Sequence, residues 1–148
     1  MLRKFNSQVL LNSRGFTIIE LMVVTTVFAI LTAIAMPQFR EVQTRFRLDG
    51  ATRQVFSELM SARAKAVNEN TTYTVTFPNT YTVQIVGSAT RTVNLRTLFN
   101  SDVTVSSSAA TINLSSRGTS DVGSTITVSN SSGSRTVSLK ITGGATIS

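Results

Sequence analysis

Three hydrophobic patterns follow one another along the chain. From Phe16 to Met36 it reads FTIIELMVVTTVFAILTAIAM, 21 residues that are apolar on every side and carry one charge, Glu20. As a helix at 1.5 Å per residue this segment is about 31 Å long, enough to span a bilayer. Wrapping it inside a soluble fold would need more protein than 148 residues supply. Beyond Met36 the pattern becomes one-sided. Phe39, Val42 and Phe46, then Val55, Phe56, Leu59, Met60, Ala66 and Val67, recur at spacings of three and four. The other side carries Arg40, Glu41, Arg45, Arg47, Asp49, Arg53, Glu58, Arg63 and Lys65. This is an amphipathic helix with a solvated face of mixed sign, and Asn68-Glu69-Asn70 is its expected stop. Pro37 lacks an N–H and leaves the carbonyl of Ala33 without its helical partner, so a kink or local melting is expected there, although the helix need not end.

From Thr71 the period falls to two. TTYTVTF, TYTVQIV, RTVNL, DVTVS, TINLS, STITVS and RTVSLKI alternate small polar with β-branched or apolar residues and predict seven short antiparallel strands. Pro78-Asn79, Gly87-Ser88, Gly118, Gly123 and Ser132-Gly133 mark the turns. Ser and Thr make up 32 of these 78 residues, but strict alternation with Val, Ile and Leu points to strands with one buried face rather than a disordered tail. The expected core is Val75, Phe77, Val83, Ile85, Val93, Leu95, Val103, Val105, Ile112, Leu114, Ile126, Val128, Val137, Leu139 and Ile141, covering the stripe of the preceding helix as one sheet.

Composition narrows the chemistry. There is no Cys and no His, which removes disulfides, thiol redox chemistry, Cys/His zinc sites and every Ser-His or Cys-His catalytic pair. From Thr71 onward the only carboxylates are Asp102 and Asp121 and the only lysine is Lys140. No Gly-x-Ser-x-Gly, Walker or paired-carboxylate pattern is present, so no enzyme, cofactor or metal is expected. Fourteen Lys and Arg against seven Asp and Glu give a net charge of +7, spread along the chain. Arg3, Lys4 and Arg14 precede the apolar run, and Arg40, Arg45 and Arg47 follow it closely, a tie that leaves the membrane orientation open. The leading segment MLRKFNSQVLLNSRG has only Val9-Leu10-Leu11 as an apolar stretch, too short for a secretory signal. A cut at Gly15 would leave the apolar helix on the mature chain.

Arg14-Gly15-Phe16-Thr17-Ile18-Ile19-Glu20-Leu21, set at the head of that run and ahead of Pro37, resembles the processing site of type IV prepilins and of the pseudopilins of type II secretion. Leu59-Met60-Ser61-Ala62-Arg63-Ala64-Lys65-Ala66-Val67-Asn68 with the following Tyr73-Thr74-Val75-Thr76 is similar to the helix-to-strand join of the GspH/FimT family of minor pilins and minor pseudopilins. So are Ser116-Arg117-Gly118-Thr119 and the strand from Arg135 toward a terminal Gly pair.

The resemblance implies a pilin-like α+β fold. Residues 1–15 would be the leader, 16–36 a transmembrane helix, 37–70 its amphipathic continuation and 71–148 an antiparallel β head. It implies that prepilin peptidase removes the leader after Gly15 and methylates the new terminus at Phe16, and that Glu20 meets the amine of a neighbouring subunit during assembly. An acid in an apolar helix is disfavoured by a few kcal/mol, and a fixed cation within about 4 Å can return a similar amount. The implied partners are other pilin or pseudopilin subunits, an inner-membrane assembly platform and membrane lipid. The chain would sit in the bacterial inner membrane with its head in the periplasm before joining a filament, in a tip or initiation complex. The alternative is a DNA-binding minor pilin acting in DNA uptake, with Arg117, Arg135 and Lys140 as contacts. Against it, Gly143-Gly144-Ala145-Thr146 stands where some members carry a basic Gly-Arg-x-Arg-like turn, and no aromatic residue is expected among the head's cations to stack bases.

Overall fold

The computed structural model describes residues 15–99 and 102–148. The chain divides into two units, Met1–Gln38 and Phe39–Ser148. One helix, α1, Ile18–Asn68, contributes to both and contains Pro37. In the described part of the first unit every residue is exposed, and the helix is apolar and long enough to cross a membrane. Its threonines are satisfied within the helix. Thr25 and Thr26 donate to the carbonyl of Met22 at 3.0 and 2.8 Å, and Thr32 donates to that of Phe28 at 2.7 Å. A hydroxyl that returns its hydrogen to its own helix needs no water, which suits an apolar surround.

In the second unit, α1 buries Leu48, Ala51, Thr52, Val55, Glu58, Leu59, Ala62 and Ala66, one face at spacings of three and four. Three of these are alanines, which let strands approach the helix axis closely. A Schellman motif closes the helix: Thr71 N–H donates to the carbonyl of Ala66 at 3.1 Å and Asn70 N–H to that of Val67 at 3.3 Å. Asn70 takes the left-handed conformation this motif requires, with φ of 49°.

Eight strands follow: β1 Tyr73–Asn79, β2 Thr82–Val86, β3 Thr90–Asn94, β4 Thr104–Ser107, β5 Thr111–Leu114, β6 Ser124–Asn130, β7 Gly133–Leu139 and β8 Ala145–Ile147. They form two antiparallel sheets, β3-β2-β1-β5 and β4-β6-β7-β8, where the sequence predicted seven strands in one. The extra strand, β8, is three residues long and too short to alternate visibly. A short helix α2, Leu95–Phe99, replaces the end of the third predicted strand. Asn94 caps it, its side-chain oxygen accepting from the N–H groups of Arg96 and Thr97.

Val75, Val83, Ile85, Val93, Ile112 and Leu114 from the first sheet join Val105, Ile126, Val128, Val137 and Leu139 from the second in one core with the helix face, together with Leu95 and Val103. Phe77 is only partly buried against this core, and Ile141, expected inside, is 62% exposed because β7 ends at Leu139 and the chain turns away. On α1 the stripe is shifted. Phe39, Val42, Phe46 and Val67 are exposed, Phe56 and Met60 pack at the edge of the core, and Leu48, Ala51 and Ala62 are inside.

Truncating Leu59 to Ala is expected to destabilise residues 39–148 by about 2–5 kcal/mol, whereas Phe46→Ala should stay within about 0.5 kcal/mol. Urea melts of the two variants check this, and equal shifts would contradict the burial described.

Candidate processing and assembly site

Gly15, Phe16 and Thr17 precede the first turn of α1 and are exposed. The first backbone acceptor of the helix is Thr17, whose carbonyl takes the N–H of Leu21 at 3.2 Å. Its Oγ1 also accepts from the N–H of Glu20 at 3.2 Å, the N-cap to N3 contact of a capped helix. Glu20 therefore sits in the first turn, where the positive end of the helix dipole favours a carboxylate. Pro37 lies far along the same helix, one residue before the end of the first unit, and the helix continues through it.

The three basic candidates of the head are not brought into one patch. Arg117 and Lys140 are exposed beside one junction, described below. Arg135 lies five residues before Lys140 on β7, about 16 Å away at ~3.3 Å per residue. Its Nε pairs with Oδ1 of Asp49 on α1 at 3.1 Å. Arg91 and Arg96 are also committed, Arg91 to Glu58 at 2.9 Å and Arg96 over the Tyr81 ring at 5.0 Å.

Glu58 corrects the expectation that it belongs to the solvated face. It is 5% exposed and accepts from Arg91 Nη2 on β3 and from Gln54 Nε2 at 2.8 Å. Its position after Val55, and before Ala62, places it on the buried register, a signal present in the spacing. Arg63 likewise turns inward. Its Nε donates to the carbonyl of Gly118 at 2.7 Å, and Gly118, at φ of 76°, packs on Gly143, at φ of 78°. A Cβ on Gly143 would lie 1.8 Å from the Gly118 carbonyl oxygen, so no side chain fits there. The helix end, the loop between β5 and β6 and the turn between β7 and β8 meet at this junction. Just past the helix, Glu69 accepts hydrogen bonds from Ser88 and Tyr73, which hold its carboxyl below its ordinary value of 4.5. Among the described residues no group of three or more acidic side chains is placed to hold a metal.

Residues 10–36 match the prokaryotic N-terminal methylation motif, and residues 51–144, more than half of the chain, match the type II transport protein GspH. The chain belongs to the GspH family. Two fimbrial proteins of Pseudomonas aeruginosa are each 41% identical to it over 56 residues, 38% of this chain and 36% of theirs, so the match spans about a third of the relatives' length. Two crystal structures of the type IV minor pilin FimU of Pseudomonas aeruginosa PAO1 share its fold. One superposes with a TM-score of 0.60 at 17% identity, covering 70% of this chain and 90% of that one. The other gives 0.55 at 15%, covering 68% and 92%. This GspH-family chain thus has the pilin architecture of a long N-terminal helix packed on antiparallel sheets.

Gly143→Ala is expected to cost about 2 kcal/mol or more, through backbone overlap and a strained φ, while Arg63→Met loses only a hydrogen bond and should cost less. Thermal unfolding of residues 39–148 tests the ranking, which a stable Gly143→Ala variant would reverse.

Proposed function

We propose that the chain is a minor pilin or minor pseudopilin, a structural subunit of a type IV pilus or of a type II secretion pseudopilus. The observation that carries this reading is the order of its parts. The methylation motif over residues 10–36 contains an apolar span with an exposed Gly15-Phe16 pair before its first turn, and a GspH head follows. In this reading residues 1–15 are a leader, 16–36 cross the inner membrane, 37–70 continue as the helix of the head, and 71–148 form its periplasmic β part. Prepilin peptidase hydrolyses the Gly15–Phe16 bond and methylates the Phe16 amine. The charged amine and the Glu20 carboxylate of neighbouring subunits then neutralise one another as the assembly platform moves the helix from lipid into a filament. The turn of Pro37, which lacks one backbone bond, gives the helix a place to bend in that lattice.

Mass spectrometry of the mature protein should show a chain starting at methylated Phe16, and Gly15→Val should leave the precursor intact in the membrane. Glu20→Ala should insert normally yet be depleted from sheared filaments. A mature form retaining Met1, or normal filament incorporation of the Glu20 variant, would contradict the reading.

DNA capture is the weaker reading. The β part carries five basic residues against two acidic ones, and three of the five are engaged with Asp49, Glu58 or Tyr81. Arg117 and Lys140 would be the principal contacts, with Arg135 drawn from its pair. Duplex DNA titrated onto residues 39–148 should bind weakly, with a log–log salt slope of roughly −3 to −4 and little binding left near physiological salt. Micromolar binding at about 150 mM salt that collapses in an Arg117→Ala, Arg135→Ala double variant would favour an uptake receptor.

A further inference from the structure

Among the described residues, no close packing requires Gly15 to be glycine, since a Cβ built there meets nothing within 4 Å. What does distinguish its position is the helix boundary. In a helix the carbonyl of residue i accepts the N–H of residue i+4, so a start a few residues earlier would commit the Gly15 carbonyl to Ile19 N–H and fold the Gly15–Phe16 bond into the first turn. The observed ladder instead begins at the Thr17 carbonyl, and the carbonyls of Gly15 and Phe16 stand outside it.

The residue that fixes this start is Thr17. Its Oγ1 takes the Glu20 N–H, and Thr17-Ile18-Ile19-Glu20 has the residue order of a capping box, with the acid three places after the cap. Upstream, Asn12 and Ser13 are themselves cap-forming residue types. A helix starting after Ser13 would enclose Arg14, Gly15 and Phe16. Two features oppose that start. Gly15 is a poor helix former, and the Thr17 cap favours the later start.

We propose that Thr17 is the positioning residue for leader removal: by capping α1 it keeps the scissile Gly15–Phe16 bond out of the helix and open to hydrolysis. This inference rests on the cleavage proposed above. In that step water adds across the bond, the C–N bond breaks, Gly15 leaves as a carboxylate and Phe16 keeps the nitrogen as its amine. Thr17 takes no part in the bond making. Glu20, through its backbone N–H, helps mark the bond to be cut before its carboxylate serves assembly.

The test compares full-length precursors carrying Thr17, Thr17→Ser, Thr17→Asp and Thr17→Val in detergent micelles with purified prepilin peptidase, following initial rates of leader release. Valine matches threonine in shape but cannot accept a hydrogen bond, whereas serine and aspartate both cap. The Val variant is expected to be cut about fivefold more slowly, and amide exchange at Glu20 should accelerate in it. The Ser and Asp variants should keep the parental rate within about twofold. If Val is cut like the parent while Asp is slow, the peptidase reads the side chain's shape and the inference is wrong. Equal rates for all four precursors overturn it too, leaving the cleavage site intact. A parental precursor not cut at Gly15–Phe16 overturns the cleavage reading and this inference together.

Discussion

Burying one face of α1 between Leu48 and Ala66 is the constraint that organises the whole second unit, because the apolar face of each sheet must be covered. Each sheet has only four strands, several of four or five residues, and alternation leaves each with one apolar face. The helix stripe joins both faces in a single cluster. Each fully buried Val or Leu in it contributes roughly 1.5–3 kcal/mol. The same constraint explains the charged group inside. Glu58 is tolerated on the buried register since Arg91 and Gln54 take up its carboxylate, and removing Arg91 would leave a costly buried charge.

Much of this architecture was legible in the sequence, and the reasons differ by segment. Period two identified the strands because Val, Ile and Leu alternate with hydroxyl residues wherever one face is buried. It could not divide them between two sheets, since which strands pair depends on loop geometry and not on alternation. The stripe on α1 was legible in period but not in extent. Phe39, Val42 and Phe46 are as apolar as Val55 and Leu59, and nothing local says where the sheets stop covering the helix. At the N-terminus, Thr17 and Glu20 could be found by spacing alone, while the bond joining them needed coordinates. The inward turn of Arg63 left no trace in the sequence, because its partner is a backbone carbonyl 55 residues away.

The abundance of Ser and Thr also acquires a physical meaning. Thr104 meets Ser129 across β4 and β6, and Ser124, 4% exposed, is shared by Ser107 and Ser108. On the other sheet Thr74 donates to Asn113. Cross-strand hydroxyl pairs let half-buried polar positions satisfy one another without charge. A β part built this way meets its half-buried polar positions with uncharged groups, and its net charge comes from five basic residues against two acidic ones.

Two adjacent glycines close the chain's last hairpin, and they differ in the freedom they leave to it. Gly143 is pressed against the Gly118 carbonyl, whereas a Cβ on Gly144 would touch nothing nearer than the Thr142 hydroxyl at 3.9 Å. One position is locked by the fold and its neighbour has room for a Cβ. The hairpin can therefore change its chemistry at residue 144, where a Cβ meets no backbone, more readily than at residue 143, whose close approach holds helix, loop and turn together.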